Sequence, residues 1–211
     1  ASEIGGWSTS QIRAMTTNQV RALETADVAA IGTAITTALD TTQINALSDV
    51  SVAALNSSQV TLLSTAQVAA LSNQAIKALS TDQVATLGTK VSSFGTAQLR
   101  LLSSDVVASL SSAQISDLST SQVKSLTAAQ IGAMSTTAVG GLSTADVAAL
   151  TTDQIKAMSS DLLRALGTDN FSALSTEQLR IITSSAVAGL TTAEIQSLST
   201  TKLVTLTSAQ I

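Results

Sequence analysis

The sequence predicts an all-α fold, an α-solenoid (superhelix) of very short helices with one helix per eight-residue repeat. Three observations predict it. An octad typified by Ser64 to Leu71 (S-T-A-Q-V-A-A-L) recurs along nearly the whole chain, and self-similarity at a fixed period indicates a repeat architecture. Each octad opens with a helix-capping pattern. Each also ends on a large apolar residue, which has to be buried against other octads.

The octad has a fixed chemical pattern, whose positions we number 1 to 8 from Ser64 to Leu71. Position 8 is large and apolar, position 7 is usually Ala, and position 5 is nearly always Val, Ile or Leu, with Thr36 as an exception. Ser or Thr at position 1 with Gln at position 4 forms a capping box, and position 5 packs on the preceding position 8 as a hydrophobic staple. The predicted capping boxes include Ser64/Gln67, Ser80/Gln83, Ser111/Gln114, Ser119/Gln122 and Ser175/Gln178.

Two other architectures compete with this one. In a single long helix the apolar face would rotate by roughly 80° per octad, so no continuous stripe could form. A β-solenoid suits the Ser, Thr and Val content, but alternation would bury positions 5 and 7 and turn position 8 outward. Because position 8 is the most strictly apolar one and Ala, Gln and Leu favour helices, short helices are the preferred interpretation.

Stability has to come from stacking. A helix of six or seven residues is marginal alone in water, whereas a buried Leu or Val contributes roughly 1.5–3 kcal/mol. The chain is 45% hydrophobic but only 1% aromatic and 11% charged, so we expect an aliphatic core and a surface rich in hydroxyl and amide groups. The whole chain, 1–211, is predicted to be one solenoid domain.

The register is almost unbroken along the chain. Residues 1–7 are a partial octad with Ile4 and Trp7 at positions 5 and 8, and we expect Trp7 to cover the first coil. Residues 88–94 form a seven-residue phase break, which is either a hinge or a tolerated one-residue deletion. Residues 207–211 are an incomplete octad.

The number of octads per turn is suggested by the spacing of octads that depart from the common pattern. Basic residues at position 6 occur three octads apart, at Lys77, Arg100 and Lys124 and again at Lys156 and Arg180. Apolar residues replace Gln at position 4 at Val91, Val106, Ala138, Leu162 and Ala186. These spacings indicate about three octads per turn, although two or a non-integral number remain open.

No enzyme site is predicted, and no cofactor or metal ion. The chain has no His and no Cys, so the commonest general base and the thiol nucleophile are both absent. The acidic residues at position 3 fall in the first helical turn, where the helix dipole favours a carboxylate. They are Asp82, Asp105, Asp153, Asp161, Asp169 and Glu177. Eight of the ten basic residues lie at position 6, which we interpret as a solvated face: Arg13, Arg21, Lys77, Arg100, Lys124, Lys156, Arg164 and Arg180.

Charge and hydropathy restrict the kinds of partner that the chain can have. A net charge of −4 without a basic stripe argues against a nucleic-acid partner, and no apolar run is long enough to span a membrane. Thr recurs at position 2, at Thr9, Thr17, Thr25, Thr33 and Thr41. Such a column could present hydroxyl groups to a glycan, to ice or to a protein, or it could simply follow a good helix cap.

The S/T-T-x-Q-V/I-x-A-L units resemble tandem octapeptide-repeat regions of large secreted or surface-exposed bacterial proteins. The resemblance implies a spacer or scaffold region outside the cell and carries no functional residues with it. A start at Ala1 suits a mature secreted product or a processed fragment.

From these features we expect a non-enzymatic structural protein that stacks head-to-tail, as a homopolymer, into an extracellular filament or stalk. The end faces carrying Ile4, Trp7, Leu206 and Ile211 are the predicted sites of self-association. The alternative is an adhesin-type module that presents a repeated Ser/Thr surface to a cell-surface, glycan, ice or protein partner.

Overall fold

The computed structural model describes residues 4–211, and over that range it contains helices and no strands. Two 3₁₀ helices cover Ile4–Gly6 and Gly88–Ser93. The α-helices of the described range, numbered α1 to α24 in chain order, are Thr9–Arg13, Thr17–Arg21, Thr25–Ile31, Ala34–Ala38, Thr41–Ala46, Asp49–Ala53, Ser57–Leu62, Thr65–Ala69, Asn73–Ala78, Thr81–Leu87, Thr96–Leu99, Ser104–Ala108, Ser112–Ser116, Thr120–Ser125, Ala128–Ala133, Thr136–Val139, Thr144–Ala149, Thr152–Lys156, Ser160–Ala165, Gly167–Ala173, Thr176–Ile181, Ser184–Ala188, Thr192–Ser197 and Thr200–Leu203.

The predicted capping boxes start these helices. At α8 the Ser64 hydroxyl accepts a hydrogen bond from the Gln67 N–H, and the Ser64 N–H donates to Gln67 Oε1 at 2.8 Å. The other four predicted pairs form the same box. Many of the short helices end where position 8 returns to extended backbone, as at Leu79 with φ −63° and ψ 131°, whereas α3 and α10 continue to position 8 and end at a glycine. The chain therefore stops and restarts a helix at each octad, as predicted.

Most helices pack against the third helix along the chain, with the two 3₁₀ helices included in the count. Helix α2 packs on α5 and α5 on α8, and the same spacing joins α15 to α18 and α18 to α21. Three octads therefore make one turn of the coil, which confirms the solenoid and the value suggested by the spacing of basic residues. Lys156 on α18 and Arg180 on α21 accordingly lie on neighbouring helices of one face.

The coils form two compact units, Ala1–Val106 and Val107–Ile211. The division falls within α12 and not within the seven-residue phase break. That the whole chain is one domain stays a prediction.

The core of each unit consists of positions 5 and 8. Val68 and Leu71 are 0% and 3% exposed, and the corresponding Val147 and Leu150 are 0% and 4% exposed. The exceptional Thr36 is buried as well, and its hydroxyl is satisfied by donating to the Thr33 carbonyl oxygen at 2.9 Å.

The seven-residue phase break packs against the preceding coil as a complete octad does. The 3₁₀ helix Gly88–Ser93 packs on α8, and Val91 and Phe94 are buried. The Phe94 N–H donates to the Val91 carbonyl, the bond that joins positions 8 and 5 in regular octads such as Leu71 and Val68. Val91 therefore occupies position 5, and assigning it to position 4 was wrong because the missing residue lies between Gly88 and Val91. Gly88 itself corresponds to Gly32 and Gly167, which have a similar positive φ at position 1 of complete octads.

Candidate functional site

Glutamine at position 4 connects successive coils. Besides serving the cap of its own helix, the Gln67 side chain reaches the coil before it. Its Nε2 donates to the carbonyl oxygens of Thr36 and Leu39, at 2.7 and 2.8 Å. Those carbonyls belong to the end of α4. A helix with Gln at position 4 is therefore hydrogen-bonded, through its first turn, to the end of the fourth helix before it. A buried amide with every polar atom bonded stabilises the stack.

This amide ladder recurs in both units. Its members in the first unit are Gln43, Gln59, Gln67, Gln83 and Gln98, and in the second Gln154, Gln178 and Gln210. Ser51, Lys90, Asn170 and Lys202 replace Gln in other octads and donate to the same kind of carbonyl. The sequence interpretation assigned Gln to the capping box alone and missed this second role.

The ladder gives every coil a direction. Each coil directs side-chain amide donors toward the preceding coil and backbone carbonyl acceptors toward the following one. Its apolar side chains at positions 5 and 8 are covered by the same neighbours. The two sides of a coil are therefore chemically different and complementary.

The first described coil presents the donor side. We call Ile4, Trp7, Gln11 and Gln19 the head face. Trp7, Gln11 and Gln19 line one groove with Met15, and the Trp7 N–H donates to the Ile4 carbonyl at 3.0 Å. Trp7 is 38% exposed while Met15 is 7% exposed, so the indole covers the first coil only in part.

The last complete coil presents the acceptor side. We define the tail face as Val187, Leu190, Ile195, Leu203, Leu206 and Ile211. The first five of these are half-buried, and Ile211 is 91% exposed. Residues at the same octad positions in interior coils are almost completely buried, as at Val147. Sequence reasoning identified Leu206 and Ile211 but missed the other four, because their exposure follows only from the coil geometry.

The ionisable residues are distributed as helix-terminal charges. The six position-3 acids all lie in the first turn of their helices, as predicted. Asp161 also pairs with Arg164 at 2.6 Å on the exposed side of α19. Within residues 4–211, no three His, Cys, Asp or Glu side chains are grouped so that they could hold a metal ion.

The Thr column of the sequence becomes several rows in the structure. Because three octads make a turn, consecutive position-2 threonines point from different faces. Thr17, Thr41 and Thr65 lie on α2, α5 and α8, which stack on one another, and Thr89 continues the row on the second 3₁₀ helix. One face of the first unit therefore carries a threonine in each coil.

A comparison with family models identifies the repeat. The model described as ALTTAQ repeat matches residues 20–57, 52–89, 91–128 and 128–160. The chain belongs to the ALTTAQ repeat family. Among curated proteins, none matches the chain. In the part of this ALTTAQ repeat chain that the structure describes, no helix has the length and apolar character required to cross a membrane.

Proposed function

We propose that this ALTTAQ repeat chain is a non-enzymatic structural protein whose copies stack head-to-tail to form, or contribute to, an extracellular filament or stalk. The observation that carries the proposal is the two-sided coil. Side-chain donors of one coil bond to backbone carbonyls of the coil before it, as Gln67 does to Leu39 and Gln178 to Leu150, so coils stack in one direction.

Covering the tail face with a head face extends the interface that already joins coils within each unit. Completing the burial of each half-buried side chain contributes on the order of 1 kcal/mol. Since the two faces are unlike, their contact is heterologous and propagates from copy to copy unless it closes into a ring.

An extracellular bacterial location fits the surface chemistry. The exterior is supplied mainly by Ser and Thr, since most position-4 Gln side chains are buried in the ladder. Only 11% of residues are charged, and the absence of Cys leaves no thiol to oxidise outside the cell. The resemblance to repeat regions of secreted and surface proteins supports the same location.

Sedimentation velocity over a concentration series tests the proposal. We expect the 211-residue chain to associate with increasing concentration, and Leu206→Lys to abolish association by placing a charge in the joint. Leu62→Lys is the matched control, because Leu62 is 47% exposed and lies outside both end faces. A chain that stays monomeric at every concentration would overturn the proposal.

The row of Thr17, Thr41, Thr65 and Thr89 supports a second candidate, an adhesin-type module that binds a glycan, ice or a protein through repeated hydroxyl groups. Replacing Thr17, Thr41 and Thr65 by Ala should then abolish binding on a glycan array or ice-affinity assay and leave association intact. Thr9→Ala with Thr25→Ala, on other faces, is the control. Equal binding by both variants would reject this candidate.

A further inference from the structure

We infer that the cleft beside Ala75, between α6 and α9 of the first unit, binds the N-acetyl group of an amino sugar. In this cleft the acetamido group of the sugar takes the place that the side-chain amide of Gln takes in other octads. The site lies between two interior coils. It adds a glycan-binding site to the adhesin-type alternative, and it depends neither on head-to-tail stacking nor on the row of threonines.

In a regular octad, one side-chain amide bridges two coils at this place. Gln67 Oε1 accepts from the Ser64 N–H at 2.8 Å, and Gln67 Nε2 donates to the Leu39 carbonyl oxygen at 2.8 Å. A backbone donor on one coil and a backbone acceptor on the coil before it are thus joined by a single carboxamide. Such a pair is complementary to a group that both accepts and donates a hydrogen bond.

Ala75 takes the position of this Gln on α9, which packs on α6. The equivalent backbone groups are the Ser72 N–H and the Leu47 carbonyl oxygen, and the Ala75 methyl group can bond neither. Among the residues that the structure describes, neither group has a hydrogen-bond partner. The helix is still capped, because the Ala75 N–H donates to the Ser72 hydroxyl at 3.2 Å. An acetamido group, with one N–H and one carbonyl, matches the free pair.

The short side chain of Ala75 also leaves room for a ligand. A cleft of about 380 Å³ opens at these backbone groups, and four planar polar side chains line it: Arg21, Asn45, Asp49 and Gln74. The Asn45 side chain is held in place by donating to the Ala70 carbonyl oxygen at 2.9 Å. Guanidinium, amide and carboxylate groups offer paired donors and acceptors to neighbouring hydroxyl groups of a sugar.

The charges at the cleft favour an uncharged ligand. Arg21 and Asp49 contribute one charge of each sign, so neither an anion nor a cation is selected overall. A bare amide, such as the side chain of a Gln in a peptide, would satisfy the backbone pair but leave the four planar side chains unused. An N-acetylated sugar is uncharged, brings the amide and carries hydroxyl groups for those side chains.

A second Ala at position 4 provides an internal comparison. Ala186 in the second unit lies at a cleft of about 210 Å³, which is lined also by Met158, Ser159, Ser160, Thr183 and Ser185. Among the residues that the structure places around it, hydroxyl groups replace the planar polar side chains of the Ala75 cleft. We therefore expect the sugar to bind at Ala75 and not at Ala186.

NMR titration of the isotopically labelled chain with methyl N-acetylglucosaminide tests the inference. We expect the Ser72 amide resonance to shift as the sugar binds. Methyl glucoside, which lacks the acetamido group, should bind at least about tenfold more weakly, because two hydrogen bonds are lost. Propionamide is the third probe. If it shifts the Ser72 resonance at concentrations as low as the sugar does, the cleft recognises a bare carboxamide and the sugar assignment is wrong.

Ala75→Gln closes the cleft with a ladder amide from the chain itself. This variant should lose binding of the N-acetylated sugar and keep or gain thermal stability, since the new side chain completes the ladder. Ala186→Gln is the matched control, because it makes the same change in the second unit and should bind the sugar like the parent chain. Arg21→Met should weaken binding and leave the circular dichroism spectrum unchanged.

The remaining outcomes separate this site from the other proposals. Absence of any shift at millimolar sugar, or equal binding by the parent chain and Ala75→Gln, would overturn the inference. Loss of binding in the Thr17→Ala, Thr41→Ala, Thr65→Ala variant would assign the sugar to the row of threonines and would also overturn it. Sedimentation bears on head-to-tail stacking alone, so stacking and the Ala75 site can fail independently.

Discussion

At the scale of single residues, Gln at position 4 has two tasks that differ in how far they reach along the chain. Its bond to the cap joins residues three apart, and that spacing can be read from the sequence. Its bond to the preceding coil joins residues 28 apart, as from Gln67 to Leu39. No local pattern encodes such a distance, so the cap could be predicted and the ladder could not.

Gln83→Glu separates the two tasks. Gln83 is 6% exposed, accepts from the Ser80 N–H, and donates to the carbonyls of Val52 and Leu55 at 2.8 and 2.9 Å. A carboxylate keeps the cap but sets an oxygen against two carbonyls, and we expect a loss of about 3 kcal/mol in the free energy of unfolding.

Urea unfolding followed by circular dichroism measures this loss. Gln74→Glu, at an exposed position of α9, is the control and should change stability by less than about 0.5 kcal/mol. Equal midpoints for Gln83→Glu and Gln74→Glu would show that the ladder adds nothing to stability.

At the scale of helices, starts could be predicted because capping is local, whereas the phase break could not be placed correctly. Counting forward from Gly88 puts Val91 at position 4, but burial of Val91 and Phe94 fixes them as positions 5 and 8. Lys90 then takes the position of Gln, and its Nζ donates to the Leu63 carbonyl at 2.7 Å. The octad position of each residue in the phase break is therefore set by burial in the core and not by counting residues from Gly88.

Gly88 allows the turn that opens the phase break. The backbone turns there with φ 55° and ψ −137°, and Gly32 and Gly167 have a similar positive φ at the start of complete octads. A Cβ added there would meet nothing within 4 Å, so Gly88→Ala tests backbone strain alone. We expect a loss of about 1–3 kcal/mol.

Thermal and urea unfolding of Gly88→Ala can be compared with Gly6→Ala. At Gly6 an added Cβ also meets nothing within 4 Å, but φ lies outside the positive range. The Gly6 variant should be as stable as the parent chain, and similar stability of the Gly88 variant would mean that the turn at the phase break is unstrained.

At the scale of the whole molecule, the number of octads per turn decides which residues share a surface. The five position-2 threonines from Thr9 to Thr41 form one column in the sequence, yet three octads per turn distribute them over different faces. The end faces were predicted only from the apolar character of Ile4, Trp7, Leu206 and Ile211. Their polar complementarity depends on carbonyls, which every residue carries and no sequence pattern marks.

The most direct test of three octads per turn is disulfide formation in a double-cysteine variant at low protein concentration. A Cβ built at Gly5 lies 3.6 Å from the Ala30 Cβ, within the range of about 3.5–4.5 Å that a disulfide requires. Gly5→Cys with Ala30→Cys should close an intramolecular disulfide. Gly5→Cys with Ala22→Cys or with Ala38→Cys, at position 7 of the octads before and after, should stay reduced. Preferential closure with either of those residues would contradict the three-octad coil.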